Sequence, residues 1–380
     1  MVSRVYWLER IRRSWEERSL IWLSGVRRVG KTVLCQSISD IEYFDCELSR
    51  TRKRMEDPQS FWDGLRGSKV VLDEIHRLDN PSEILKIAAD YYQDIKIIAT
   101  GSSTLGASTK FRDTLTGRKT ELWLTPMITD DMIRFGNDDL AYRMLRGGLP
   151  PFFLSKEHPE RDFQEWMDAY WAKDIQELFR LERRHSFLRF AEMLFTQSGG
   201  IFEANRFARQ CEVSRPTIAN YLSVLEATFV VHVIRPFSTR RATEIVAAPK
   251  VYAFDTGFVC YHRGWLDLRR EDKGHLWEHF VLNEMQANLQ SRKICYWRDK
   301  RGHEVDFILP TRINAPIAVE CKFNQSDLEI RNLISFRKQY PAGETFVVSP
   351  EIGRPYIQKI NGIAVQWINL KDLIKSLQKN

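Results

Sequence analysis

The sequence predicts an α/β protein: a parallel sheet with helices on both faces in the N-terminal third, and a second α/β region at the C-terminal end. Three observations carry this reading. Short apolar runs alternate with helical stretches over residues 1–135. A glycine-rich loop lies between a strand candidate and a helix start near residue 30. Beyond Arg235 the pattern returns to mixed strands and helices after a long helical interval. Three parts are therefore expected, residues 1–135, 136–240 and 241–380.

The first strand is Leu20-Ile21-Trp22-Leu23, and Val33-Leu34-Cys35-Gln36-Ser37-Ile38 opens a helix. Between them Gly25-Val26-Arg27-Arg28-Val29-Gly30-Lys31-Thr32 fits G-x-x-x-x-G-K-[ST] without a mismatch. Glycines let the backbone wrap a phosphate, and the helix N-terminus adds positive charge. Gly25, Val26, Arg27, Arg28, Val29, Gly30, Lys31, Thr32 and Val33 are thus candidate contacts to ATP. Lys31 would reach the β- and γ-phosphates, and the Thr32 hydroxyl would ligate Mg²⁺. A second strand, Lys69-Val70-Val71-Leu72, ends in Asp73-Glu74. Asp73 is expected in the Mg²⁺ shell and Glu74 on the attacking water. Two carboxylates favour hydrolysis over transfer to a small acceptor. A third strand, Ile95 to Thr100, runs into Gly101-Ser102-Ser103, so Thr100, Ser102 and Ser103 are candidates to face the γ-phosphate. Arg118, before the strand Glu121-Leu122-Trp123-Leu124, is a candidate charge-stabilising arginine. It would act in its own site or a neighbour's, the second case implying a homo-oligomer.

These motifs, with Leu72-Asp73-Glu74-Ile75-His76, Thr100-Gly101-Ser102-Ser103 and Leu115-Thr116-Gly117-Arg118, resemble the prokaryotic AAA-type ATPases that carry a C-terminal domain of unknown function (DUF) 4143. Arg146-Gly147-Gly148-Leu149-Pro150, Lys173-Asp174-Ile175 and Lys250-Val251-Tyr252-Ala253-Phe254-Asp255-Thr256-Gly257 also resemble that family. The resemblance runs in matching order over nearly the whole chain and implies a P-loop AAA-type ATPase domain. Pro126-Met127-Ile128-Thr129-Asp130-Asp131 departs from the family's usual Leu-Ser-x-x-Glu-Phe pattern.

Composition sets outer bounds. At 380 residues and 43% hydrophobic content the chain can bury more than one core. No apolar run reaches about 18 residues, so no membrane span is expected. The N-terminus lacks a signal-peptide core. Six scattered cysteines without C-x-x-C spacing argue against zinc knuckles and disulfides, so a cytoplasmic location is expected. A net charge of +7 permits DNA as a partner without requiring it.

Residues 163 to 225 read as almost wholly helical. Within them, Glu203 to Ser214 and Arg215 to Leu222 form a helix, a tight turn and a second helix. Ser214 can cap the second helix, and Pro216 fits its first turn. The strand Phe229 to Ile234 follows as a wing would, giving a winged-helix reading. Arg215, Thr217 and Asn220 would be its exposed contacts; packing or subunit contact is the competing use of the same motif. Ser238-Thr239-Arg240-Arg241-Ala242-Thr243 fits either a phosphate grip or a solvated loop.

In the C-terminal third, Glu278 is the acid on the apolar side of a helix. Glu304-Val305-Asp306-Phe307-Ile308-Leu309 and Ala318-Val319-Glu320-Cys321-Lys322 read as paired strands. Alternation puts Glu320 and Lys322 on one strand face. The ordered set resembles the PD-(D/E)xK nuclease core, implying a restriction-endonuclease-like α/β domain. In that reading Glu278, Asp306 and Glu320 are candidate Mg²⁺ or Mn²⁺ ligands, and Lys322 positions or helps deprotonate water. The expectation is an ATPase coupled to a DNA-interacting, Mg²⁺-dependent nuclease. The alternative is an ATP-dependent regulatory switch whose C-terminal domain binds protein or nucleic acid without cleavage.

Overall fold

A computed structural model describes residues 2–101, 113–156, 160–176, 179, 181, 183–238, 248–311 and 314–379. The chain folds into two units. One comprises residues 1–138, 149–184 and 223–230; the other comprises 139–148, 185–222 and 231–380. The expected middle part, residues 136–240, does not form a unit of its own. Its aromatic-rich helices divide their buried faces between the two cores: Phe163, Trp166 and Tyr170 belong to the first unit, and Phe187, Phe190 and Tyr221 to the second.

The first unit holds a five-stranded sheet ordered β2-β3-β4-β1-β5. The strands are β1 (Leu20–Ser24), β2 (Ile41–Asp45), β3 (Lys69–Asp73), β4 (Lys96–Thr100) and β5 (Lys119–Trp123). Every neighbouring pair is parallel. β1, β3 and β4 are buried almost end to end, which is why they read as unbroken apolar runs. Ile84, Leu85 and Ala88 of the helix Pro81–Tyr91 pack on Leu20, Val70, Leu72 and Ile97. At the start of the helix Val5–Glu17, buried Arg4 donates to the carbonyls of Val29 and Thr125 and pairs with Asp131 at 2.6 Å. Asp131 also accepts from the Ile128 N–H and so starts the helix Thr129–Arg134 within the segment that departs from the family pattern.

The second unit holds β6 (Gly200–Ile201), β7 (Val231–Pro236), β8 (Lys250–Ala253), β9 (Cys295–Arg298), β10 (Glu304–Leu309), β11 (Ile317–Cys321), β12 (Thr345–Val348), β13 (Tyr356–Ile360) and β14 (Ile363–Ile368). They make one sheet ordered β13-β14-β12-β11-β10-β9-β7-β8-β6. β10 runs antiparallel to β9 and β11, while β11-β12 and β12-β14 are parallel. Helices Ala204–Gln210 and Arg215–Ala227 precede the antiparallel pair β7-β8, and β6 pairs with β8. Thr239, Arg240, Arg241 and the rest of that basic patch, apart from Ser238, lie outside the described residues.

Two of the family-typical segments interlock in this unit. Asp255 accepts from the Gly148 N–H at 2.5 Å and from the Gly257 N–H at 2.8 Å. Buried Arg143 donates to Thr256 Oγ1 at 3.1 Å and lies 3.7 Å from the Asp255 carboxylate. A β-carbon on Gly147 would stand 2.1 Å from Asp255 Oδ1, and one on Gly257 would stand 2.6 Å from the Arg146 carbonyl oxygen.

Gly147→Ala is therefore expected to destabilise the second unit by about 3 kcal/mol or more, from a glycine-only backbone region plus overpacking. Gly264→Ala, also at positive φ but with nothing within 4 Å, should cost about 1 kcal/mol. Urea midpoints of the two variants check this. Equal losses would show that the backbone conformation alone sets the cost.

Candidate functional site

The loop between β1 and the helix Lys31–Gln36 turns on two glycines at positive φ, Gly25 at +142° and Gly30 at +100°. A side chain at Gly25 would place its β-carbon 2.5 Å from the Leu124 carbonyl oxygen, so only glycine fits there. Lys31 lies inside the turn, donating to the carbonyls of Gly25 at 2.8 Å and Val26 at 3.2 Å. Burial pulls its ammonium below the usual lysine range, opposed by the charges of Glu74, Asp174 and Asp73.

At the end of β3, Asp73 collects hydroxyls from three elements. Thr32 Oγ1 donates to Asp73 Oδ2 at 2.8 Å, and the Tyr43 and Thr100 hydroxyls also donate to this carboxylate. Because β4 lies between β1 and β3, Thr100 is in place to bridge the two acids: it also accepts from the Glu74 N–H at 3.2 Å. Fully buried and so bonded, Thr100 supports Asp73 and Glu74 rather than facing the γ-phosphate. Ser102 and Ser103 lie outside the described residues. Glu74 is left-handed at φ 54°, and its Oε2 stands 3.2 Å from His76 Nδ1. That hydrogen bond holds the Glu74 carboxyl below its usual range, so it is ionised at neutral pH.

A cavity of about 640 Å³ opens over the loop. Gly25, Val26, Arg27, Arg28, Gly30, Lys31, Thr32, Val33 and Glu74 line it. So do residues not singled out from the sequence for this role: His76, Arg77, Tyr170, Lys173 and Asp174. Arg27 pairs with Asp174 at 2.7 Å, and its carbonyl accepts from Trp166 Nε1 at 3.0 Å. Burial raises the Asp174 carboxyl above its usual range, against the pull of Arg27. The Lys173-Asp174-Ile175 pattern was the only sequence signal for this wall. Val29, fully buried, supports the loop from behind.

Arg118 is not brought to this cavity. β5 runs parallel to β1 with Lys119 beside Leu20, so Arg118 stands at the N-terminal edge of the sheet. The loop leaves β1 at the opposite, C-terminal edge. Arg118 pairs instead with Asp90 at 2.6 Å. In this structure it therefore stands apart from the cavity of its own chain.

In the second unit, Phe307 pairs with Val319, so Asp306 and Glu320 stand one step along the same ladder. Asp306 Oδ2 accepts from the Cys321 N–H at 2.7 Å, and Lys322 Nζ pairs with Glu320 Oε1 at 2.8 Å. Glu320 Oε2 is buried with no hydrogen-bond partner among the described residues. Burial, then the Asp306 charge, pushes the Glu320 carboxyl up to about 8. Burial and Glu278 raise Asp306 as well. Burial lowers Lys322, but Asp306 and Glu320 outweigh it and hold its ammonium above the usual range. Glu278 is engaged elsewhere: Tyr252 donates to its Oε1, and Lys250 Nζ stands 3.4 Å from the same atom and 2.5 Å from Glu304 Oε1. No three His, Cys, Asp or Glu side chains among the described residues are placed to hold a metal ion. The expected third ligand, Glu278, is thus held by Lys250, a residue whose role sequence spacing did not reveal.

Residues 17–133, which hold the loop, the β3 acids and the five-stranded sheet, match the family model of the AAA domain. Residues 137–269 match a domain of unknown function (DUF8612), and residues 273–367 match another (DUF4143), which includes Glu278, Asp306, Glu320 and Lys322. An uncharacterized protein of Mycobacterium bovis is 28% identical over 311 residues, covering 78% of this chain and 69% of that protein. An uncharacterized protein of Mycobacterium tuberculosis matches to the same extent. Among solved structures, Thermococcus gammatolerans McrB AAA+ hexamers with bound McrC align at 11% identity and TM-score 0.24. That alignment covers 52% of each chain, so this chain spans about half the length of that one. The DNA clamp loader delta protein of Bacillus subtilis aligns at 12% identity and TM-score 0.27, over 72% of this chain and 98% of that one. No helix among the described residues is long and apolar enough to cross a membrane.

The charge state of Glu320 gives a pH test. Its folded-state pKa, about 8, lies above the ordinary glutamate value of 4.5, so the contribution of its bound proton is full below 4.5 and lost as pH rises through 8. Glu320→Gln keeps a neutral group and should gain stability relative to wild type as pH rises from 4.5 to 8. Urea midpoints of both proteins across that range measure it. A constant difference would mean that Glu320 ionises normally.

Proposed function

We propose that this protein binds and hydrolyses ATP with Mg²⁺. The observation that carries the reading is the Thr32–Asp73 contact beside Lys31 in a cavity large enough for a nucleotide. The residues present fit the group: glycines at positive φ form the cradle, and a hydroxyl and a carboxylate lie side by side. Thr32 and Asp73 would hold Mg²⁺, which neutralises charge on the phosphate oxygens when bound. Lys31 binds the phosphates. Glu74, kept ionised by His76, orients water and accepts its proton.

Lys31→Ala is expected to lower turnover by at least about 10³-fold, as loss of a phosphate clamp does elsewhere. Glu74→Gln should retain bound ATP while hydrolysing it slowly. Phosphate release and nucleotide retention on purified protein read both. Wild-type turnover in Lys31→Ala overturns the assignment of the loop; wild-type turnover in Glu74→Gln moves the water-orienting role to another group.

For the second unit the reading is Mg²⁺- or Mn²⁺-dependent cleavage of DNA. The favouring observation is the unpartnered, buried Glu320 Oε2 beside Asp306 and Lys322. Asp306 and Glu320 supply oxygen donors that fit a divalent ion, while Oε1 of Glu278 is bonded to Tyr252 and Lys250. The strand order β7-β8-β6 around the helix pair supports a winged-helix reading, with Arg215 and Asn220 exposed. Asp306→Ala and Lys322→Ala should each abolish cutting of linear, branched or single-stranded DNA while leaving ATPase activity intact. Cutting that survives Asp306→Ala would come from another site. No cutting of any substrate, with no metal retained by the wild type, would favour the regulatory switch.

A further inference from the structure

The cavity over the P-loop has a wall remote in sequence from every phosphate-binding motif. It is a π-helical stretch, Tyr170–Gln176, that follows the helix Glu160–Ala169. Such stretches are rare and cluster at functional sites, because the extra residue per turn redirects side chains. Here the stretch brings Tyr170, Lys173 and Asp174 to the cavity. It is fixed to the loop from two sides: Asp174 pairs with Arg27 at 2.7 Å, and Trp166 one turn earlier donates to the Arg27 carbonyl at 3.0 Å. Asp174 is near enough to Lys31 to raise its pKa, second only to Glu74 among the nearby charges. The stretch therefore stands within electrostatic reach of the phosphate-binding lysine.

Most other cations of this cavity are already engaged. Arg4 is bound to Asp131, Arg27 to Asp174 and Lys31 to loop carbonyls, while Arg77 stands 3.7 Å from Glu47. Lys173 lines the same cavity, is exposed, and has no hydrogen bond or ion pair among the described residues. A flexible ammonium held beside a polyanion site and committed to no carboxylate is suited to bind phosphate as a point charge.

We propose that Lys173 is a further nucleotide-binding residue, a cation that contacts the phosphate chain of ATP. Asp174 is its positioning residue and acts through Arg27 to hold the π-helical stretch against the loop. The proposal rests on the ATPase reading and names a second source of positive charge for the same site. It also supplies from within the chain the cation that Arg118 does not provide.

The experiment measures binding of ATP, ADP and AMP to wild type, Lys173→Ala, Lys173→Arg, Asp174→Asn and Lys31→Ala by titration calorimetry, with thermal unfolding of each variant alongside. Lys173→Ala should weaken ATP binding about tenfold, the effect of one charge-assisted contact. AMP binding should change little, and Lys173→Arg should restore most of the ATP affinity. Asp174→Asn should weaken ATP binding, and a Lys173→Ala/Asp174→Asn double variant, measured the same way, should lose less affinity than the sum of the two single losses; additive losses would overturn the positioning role of Asp174. Because Lys173 is exposed, its variants should melt as wild type does. ATP affinity unchanged in Lys173→Ala, with Lys31→Ala impaired, overturns this proposal and leaves the ATPase reading standing. Equal loss of ATP and AMP affinity in Lys173→Ala also overturns it. If wild type and Lys31→Ala bind ATP alike, the ATPase reading itself fails and the proposal falls with it.

Discussion

A single buried carboxylate, Asp73, organises the nucleotide side of this protein. It is 4% exposed and would be costly to ionise if left alone. Three hydroxyls meet it, from the P-loop helix, from β2 and from β4. Their convergence depends on the order β2-β3-β4-β1, which puts the ends of four parallel strands at one edge. If β4 did not separate β1 from β3, Thr100 would have no way to bond Asp73 and the Glu74 N–H together. The sheet order, the fixed direction of Glu74 and the approach of Thr32 are thus one constraint seen from three sides.

The second unit solves a similar problem with different partners. Glu278, Glu304, Asp306 and Glu320 are gathered with Lys250 and Lys322 among them, and Arg298 stands 3.8 Å from Glu304. Hydroxyls cannot offset that much like charge, and two ammoniums offset only part of it. A raised Glu320 pKa is the physical result: one carboxyl keeps its proton near neutrality. A divalent ion at the same oxygens would displace that proton, so metal binding there would grow tighter as pH rises. Lys250 has the opposite consequence for Glu278, tying it into an internal network with Tyr252 and Glu304.

What could be read from the sequence was local. Binding phosphate by backbone needs contiguous residues, so Gly25 to Thr32 announced itself, and an apolar strand ending in Asp73-Glu74 did the same. Period-two alternation sufficed to pair Glu320 with Lys322. Contacts between distant segments were not legible. Arg27 and Asp174 are 147 positions apart, and Lys250 and Glu278 are 28 apart on a strand and a helix. Arg118 illustrates a different failure. Its sequence setting suggested a charge-stabilising arginine, but parallel pairing of β5 with β1 decides which end of the sheet it occupies. Thr100 likewise has a hydroxyl at a sensible place in the sequence, but burial turns it inward to Asp73.

The usual use of glycine is to give the backbone freedom, as at Gly25 and Gly30 of the phosphate-binding loop. At Gly147 and Gly148 the reason for glycine is different. Neither position has room for a methyl group: Asp255 fills one and the Arg143 guanidinium the other. Arg143 carries a charge at 1% exposure, and Thr256, Asp255 and the Phe280 ring are among the groups that face it. The two segments that looked family-typical yet silent about chemistry are therefore halves of one packing arrangement. Their identity follows from shape and buried charge, and Gly147, Gly148, Asp255 and Gly257 pack together within the second unit.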